Sequence, residues 1–216
     1  MAWSDHLLQL LLPALCPACA TPAEGLCPGC RSGLRPPDAA APPSGIDWWV
    51  AAFSYEGAVR DLVAGAKYRG ARTGWGWLAE AVAGAVAQTG TASHLQIVTW
   101  PPTTPDRRRQ RGFDQAEGLA RRVARELGLP ARGLLRRRPG PAQTGRDRRA
   151  RSEHGPTFTA QPAGAGAHVL LVDDVTTTGA TLAAAAGALR AGGTASVAAA
   201  AGARTPHPAA VREGKK

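Results

Sequence analysis

Short apolar runs alternate with longer amphipathic or alanine-rich stretches through most of this chain. Trp48–Tyr55, Leu95–Trp100, Val169–Asp174 and Ser196–Ala201 read as strands, and Leu134–Arg136 offers a further short one. Between them, Gly57 to about Ala66 reads as a helix closed by Lys67-Tyr68-Arg69-Gly70. Trp75–Gln88, Phe113–Leu127 and Thr181–Ala191 read as further helices. The run Val169–Val172, bounded by His168 and Asp173, is apolar at every position, which suits a central parallel strand covered on both faces. Strands alternating with helices predict an α/β fold with a parallel sheet flanked by helices. In such a sheet, ligands bind outside the carboxyl ends of the strands.

Before this pattern begins, Leu7–Leu15 reads as a short amphipathic helix. A lipoprotein signal is disfavoured, because no Lys or Arg precedes Cys16 and bulky Leu15 stands just before that cysteine. The run is also too short and interrupted to span a bilayer, and no other stretch is long enough. The expectation is a cytoplasmic protein without membrane insertion. All four cysteines follow in two C-x-x-C knuckles, Cys16-Pro17-Ala18-Cys19 and Cys27-Pro28-Gly29-Cys30. Two knuckles can wrap sulfur around one tetrahedral ion, so a structural Zn²⁺ is expected; the competing reading is a pair of disulfides or a redox site. The expected organisation is a helix and zinc ribbon over residues 1–34 and a Pro-rich linker over 35–45. The main domain then covers 46–204, and a polar tail 205–216.

Two places carry candidate chemistry. Asp173 and Asp174 stand where the strand ends, and Thr176, Thr177, Thr178, Gly179, Ala180 and Thr181 follow at the start of a helix. The acids can accept hydrogen bonds from vicinal hydroxyls; the loop offers backbone N–H groups, side-chain hydroxyls and the positive end of a helix. A sugar phosphate fits both. The competing readings of the acids are a metal site or a helix cap. The second place is Pro101-Pro102-Thr103-Thr104-Pro105 and the basic loop Asp106–Gly112. Guanidinium forks match pyrophosphate oxygens, and Arg111 and Gly112 stand closest to the next helix. A solvated charge run or a nucleic-acid patch would look similar. Pro139–Pro156 has no apolar period, and loops of that length in a compact domain are functional or disordered.

Composition adds one point. Formal charge is +10, and among the 26 basic residues only Lys67, Lys215 and Lys216 are lysine. A GC-rich genome accounts for arginine over lysine but not for the excess of positive charge, which should attract polyanions, whether nucleic acid or a phosphorylated small molecule. Lys67, the one lysine outside the tail, joins Arg111 as a candidate on the pyrophosphate side. The tryptophans lack the interleaved basic residues of a base-stacking platform and read as packing groups.

The strand–acid pair–Thr/Gly loop resembles the phosphoribosyl-pyrophosphate (PRPP) signature of type I phosphoribosyltransferases. One position departs, since Thr176 stands where that signature is usually apolar. With Arg111-Gly112-Phe113-Asp114-Gln115-Ala116-Glu117 and the four-cysteine module, the chain resembles the ComF family of competence-associated proteins. The resemblance implies a type I phosphoribosyltransferase-like fold, contact of Pro101, Pro102, Arg111 and Gly112 with pyrophosphate, and Mg²⁺ accompanying PRPP. It further implies a flexible lid containing Gln143 and Arg148 or Arg149. That family usually has Asn at the positions of Asp114 and His154, and an apolar residue after Gly145. An acid at Asp114 would repel phosphate unless it caps the helix or holds an arginine.

Two functions are compatible with these residues. One is a Mg²⁺-dependent phosphoribosyltransferase using Asp173, Asp174, Arg111 and Lys67 on an unidentified acceptor. The other is an accessory protein of competence and DNA uptake, working through single-stranded DNA or competence-machinery proteins without turnover.

Overall fold

A computed structural model describes residues 14–68, 72–138 and 156–206 of the chain. Within them run α1 (Pro28–Ser32), β1 (Trp48–Ser54), α2 (Gly57–Tyr68), α3 (Arg72–Gln88) and β2 (Ile97–Thr99). There follow α4 (Pro105–Arg111), α5 (Gln115–Glu126), β3 (Leu135–Arg137), β4 (Phe158–Ala160), β5 (His168–Thr176), α6 (Ala180–Ala191) and β6 (Ser196–Arg204). The main sheet has the order β1-β6-β5-β2 with every pair parallel, while β3 and β4 form a separate antiparallel pair.

The unbroken apolar run divides itself between two cores. Leu170 and Val172 face a layer that includes Leu62, Val63, Leu78, Val82, Leu119 and Val123 from α2, α3 and α5. Val169 and Leu171 face the opposite layer, with Leu182 and Leu189 from α6 and Leu135 and Phe158 from the hairpin. A strand covered on both faces needs apolar residues at every position, as the sequence predicts for Val169–Val172. Beside it, β6 is rich in alanine and buried from Val197 to Ala203. Small side chains let helices approach this part of the sheet closely. Gly202 is the extreme case, since a Cβ there would meet Leu78 Cδ2 at 2.7 Å and the Asp174 carbonyl oxygen at 2.8 Å. Gly202→Ala is therefore expected to cost about 1–3 kcal/mol, read as a lower denaturation midpoint at constant slope.

Several boundaries differ from the sequence expectation. β6 continues three residues past Ala201, because it pairs with β5 up to Thr176↔Arg204 and with β1 up to Ser54↔Arg204. The expected loop Asp106–Gly112 is instead mostly helical, as α4. Thr104 caps it by accepting from the Arg107 amide, and Pro105 opens it. The expected short strand at Leu134–Arg136 lies one residue further on and pairs with a strand the sequence did not reveal, Phe158–Ala160. The edge of β2 is covered where the chain returns after α5, with Val98 N donating to Pro130 O and Arg132 N to Val98 O, both 2.9 Å.

The cysteine module packs into the main core: Cys16, Ala18 and Leu26 are buried with Leu62, Trp75 and Leu78. Pro17 lies 3.3 Å from where a Cβ on Gly74 would stand. Trp75 and Trp100 are buried, and Trp77 stacks on Phe53 at 5.1 Å, consistent with packing roles. Leu7–Pro13 and the tail beyond residue 206 lie outside the described residues. Leu15, the end of the expected amino-terminal helix, forms an isolated bridge with Pro22. Among the described residues no helix is long and apolar enough to cross a membrane.

Candidate functional site

Because the four main strands are parallel, their carboxyl ends open on one edge. Asp173 and Asp174 lie near the end of β5, and the Thr/Gly loop leaves that strand directly. Thr99 at the end of β2 pairs with Leu171, so Pro101 and Pro102 emerge beside the acidic pair. The structure thus brings together the acids, the threonine loop and the Pro101–Gly112 segment.

Each acid folds back on its own backbone. Asp173 Oδ1 accepts from the Asp174 amide and Asp174 Oδ1 from the Val175 amide, both at 2.8 Å. Asp173 is half-buried and Asp174 buried. These short local bonds fix both side chains before any ligand arrives. In the loop, Thr176 is buried at the strand end, Thr177 and Thr178 are exposed, and Gly179 is buried again. Gly179 has φ 77°, the left-handed conformation that glycine adopts without penalty. The following helix has no side-chain cap from Gly179, although Thr178 Oγ1 accepts from Ala180 N at 3.4 Å. Half-buried Thr181 lies in the first turn of α6. An exposed turn at a helix amino end suits an anion.

Beyond the neighbouring strand β2, at the start of α5, Asp114 resolves the question its charge raised. Its Oδ2 accepts from the Thr103 amide at 2.8 Å, and its Oδ1 from the Glu117 amide at 3.3 Å. This buried acid therefore caps α5 and ties the Pro101–Thr104 turn to it. Arg111 ends α4, and Gly112 turns the chain with φ 76°. Lys67 belongs to a different element, the last turn of α2, which packs mainly on α3. Gln143, Arg148 and Arg149 lie outside the described residues.

Sequence reasoning missed Arg137. Its Nη1 donates to the Pro102 carbonyl at 3.4 Å, and its guanidinium stands 5.5 Å from the Phe158 ring centroid. Burial lowers its pKa, the charge of Arg107 lowers it further, and Asp114 opposes both. An arginine so far along the chain from the Pro101–Gly112 segment carries a usable signal only if β3 is known to pair with β4.

The four cysteine Sγ atoms lie within 4.8 Å of one another. Cys19 and Cys27 sulfurs are 3.6 Å apart, against about 3.8 Å between ligands of a tetrahedral zinc with ordinary Zn–S bonds. Backbone amides already point at sulfur, Cys27 N to Cys16 Sγ at 3.4 Å and Cys30 N to Cys27 Sγ at 3.5 Å. The Thr21 hydroxyl and amide hold the Cys19 thiol down to about 6, whereas burial pushes Cys30 up. Crowded sulfurs cannot all ionise without a cation among them, so this donor set fits Zn²⁺. No pair stands as a disulfide; all four are free thiols.

Residues 114–215 match the phosphoribosyl transferase domain. No curated protein matches the chain. Similar solved structures include a glutamine PRPP amidotransferase from B. subtilis complexed with ADP and GMP, at 19% identity and TM-score 0.43. That alignment covers 61% of this chain and 26% of the other. A phosphoribosylpyrophosphate synthetase from Mycobacterium smegmatis aligns at 18% identity and TM-score 0.36, over 63% of this chain and 37% of that one. A purine phosphoribosyltransferase from Pyrococcus horikoshii aligns at 18% identity and TM-score 0.36, over 58% and 72%. The chain thus spans only about a quarter of the first of these proteins.

Proposed function

We propose that this phosphoribosyltransferase-like chain binds PRPP with Mg²⁺ at the carboxyl edge of β5 and transfers its phosphoribosyl group to an acceptor. One observation carries the reading: an acidic pair and a threonine/glycine turn end a central parallel strand inside the stretch that matches a phosphoribosyl transferase domain. Asp173 and Asp174 would accept from the ribose hydroxyls. Thr176, Thr177, Thr178, Gly179, Ala180 and Thr181 would surround the 5′-phosphate.

In the transfer, the bond from the anomeric carbon to the pyrophosphate oxygen breaks, and that oxygen keeps the electron pair. A bond forms from the acceptor nucleophile to the same carbon, and the acceptor releases its proton. Positive charge grows on the ribose ring, where two carboxylates stabilise it, and negative charge grows on the leaving group. Mg²⁺, when bound with PRPP, supplies further neutralisation of that group. Pro101, Pro102, Arg111 and Gly112 form the proposed pyrophosphate side, and Arg137 joins them through its bond to the Pro102 carbonyl. Lys67 is retained as a proposed contributor. Gln143, Arg148 and Arg149 would exclude water, which otherwise hydrolyses a reactive ester.

Calorimetric titration of PRPP with Mg²⁺ into the full chain tests this directly. Saturable binding that weakens in Arg137→Ala about tenfold is expected, the worth of one charge-assisted contact. A flat titration of the wild type removes the proposal.

A second reading, an accessory role in competence through single-stranded DNA or protein partners, draws on the exposed arginines Arg107, Arg108 and Arg109 of α4. DNA affinity that falls steeply with salt would support it; negligible binding at low salt would end it.

A further inference from the structure

Residues 35–45, which the composition presents as a linker, are pinned along their length. Arg35 O accepts from the Ser54 amide at 2.9 Å, at the carboxyl end of β1. Asp38 O accepts from Arg204 Nη1 at 3.1 Å, at the carboxyl end of β6. Ala40 O accepts from Trp49 Nε1 at 2.9 Å. The segment then reaches Gly179, where an added Cβ would stand 2.8 Å from Pro43 Cγ and 3.2 Å from Pro43 Cβ. From there it follows α6: Gly45 lies against Ala186, and its carbonyl accepts from Arg190 Nε at 2.7 Å. Asp47 pairs with the Arg190 guanidinium and accepts from the Val197 amide at 2.9 Å. A strap therefore crosses the sheet edge from β1 past β6 and is anchored on both sides of its contact with the loop.

We propose that Pro43 is a positioning residue for the phosphate-binding loop, its ring closing over Gly179 so that the left-handed turn keeps the shape in which the loop meets an anion. This rests on the reading of that loop as the 5′-phosphate site. Two separate constraints make Gly179 irreplaceable: its φ of 77° and the absence of room beneath the ring. A proline suits the opposite side of the contact. Its fixed φ limits what the strap can do, and without an N–H it cannot compete with the loop amides for an anion. The ring touches backbone, so any relaxation of the strap shifts the turn itself rather than a distant side chain. Nothing in this contact involves the proposed pyrophosphate side, which is built from the segment after β2, the end of α4 and Arg137 of β3.

The test uses the zinc-loaded full chain and two separate probes, ribose 5-phosphate and inorganic pyrophosphate with Mg²⁺, titrated calorimetrically. Pro43→Gly is expected to weaken ribose 5-phosphate about tenfold, and Pro43→Ala less, because it keeps the Cβ contact; pyrophosphate affinity stays unchanged in both. Amide exchange at Thr177–Ala180 should quicken in Pro43→Gly while β5 remains protected. Unchanged ribose 5-phosphate affinity overturns the proposal, as does a parallel loss for both probes, which would mark Pro43 as general packing. A wild type that binds pyrophosphate but not ribose 5-phosphate removes the phosphate-site reading itself, and the role of Pro43 with it.

Discussion

Replacing Asp173 and Asp174 together by asparagine is expected to lower PRPP affinity more than about a hundredfold, since each charge-assisted hydrogen bond contributes about 1.5–3 kcal/mol. The substitution keeps side-chain volume and an oxygen for the bonds to the Asp174 and Val175 amides. What would disappear under the proposed function is negative charge beside a ribose that becomes more positive as its bond to pyrophosphate stretches. Turnover, where measurable, should fall further than affinity, because the transition state carries more ring charge than the ground state. Titration calorimetry, paired with thermal denaturation to show that the fold persists, decides the matter. Undiminished PRPP affinity in the double variant would mean that the acids face something else.

Removing metal from the four-cysteine cluster should destabilise the whole chain, and not its first 34 residues alone. Cys16, Ala18 and Leu26 are buried in the same core as Leu62, Trp75 and Leu78, so loss of the knuckles uncovers α2 and α3. A single cooperative melting transition at lower temperature is expected in the presence of a chelator, with no separate early step. Leu26→Ala probes the same interface while sparing the ligands. Truncating a fully buried leucine costs about 2–5 kcal/mol, or about 5–15 °C in melting temperature for a chain of this size. Two resolved transitions, or a main transition indifferent to chelator, would show that the ribbon is an independent appendage. Through the same interface a metal bound there would act on the sheet edge without touching it, since the strap leaves the module at Leu34, which packs against that core.

What the sequence disclosed follows from which signals are local. The run Val169–Val172 and the acids after it needed only neighbouring residues to be read, and β5 begins and ends close to that reading. Helix α4 was legible in its cap, Thr104-Pro105, but its body is polar all round. Without an apolar face it resembled a loop. The hairpin was concealed for another reason. β4 is three residues long and pairs with a strand more than twenty positions earlier, so no short-range pattern announces it. Arg137 was lost with it. The strap escaped because its anchors are backbone carbonyls at Arg35, Asp38, Ala40 and Gly45, and a carbonyl leaves no mark on residue identity. A proline-rich composition reads as slack chain unless the partners of those carbonyls are known.

The hairpin also tells how this protein can be enlarged or re-cut. Arg138 N donates to Thr157 O at 2.9 Å, so the polypeptide leaves β3 and re-enters β4 through a closed gate only one hydrogen bond wide. Ends held that near each other make inserted length cheap, about 0.6 kcal/mol for every doubling of the intervening residues. A fluorescent tag grafted between those two points, or new termini opened there by circular permutation, should leave the parallel sheet and both cores intact.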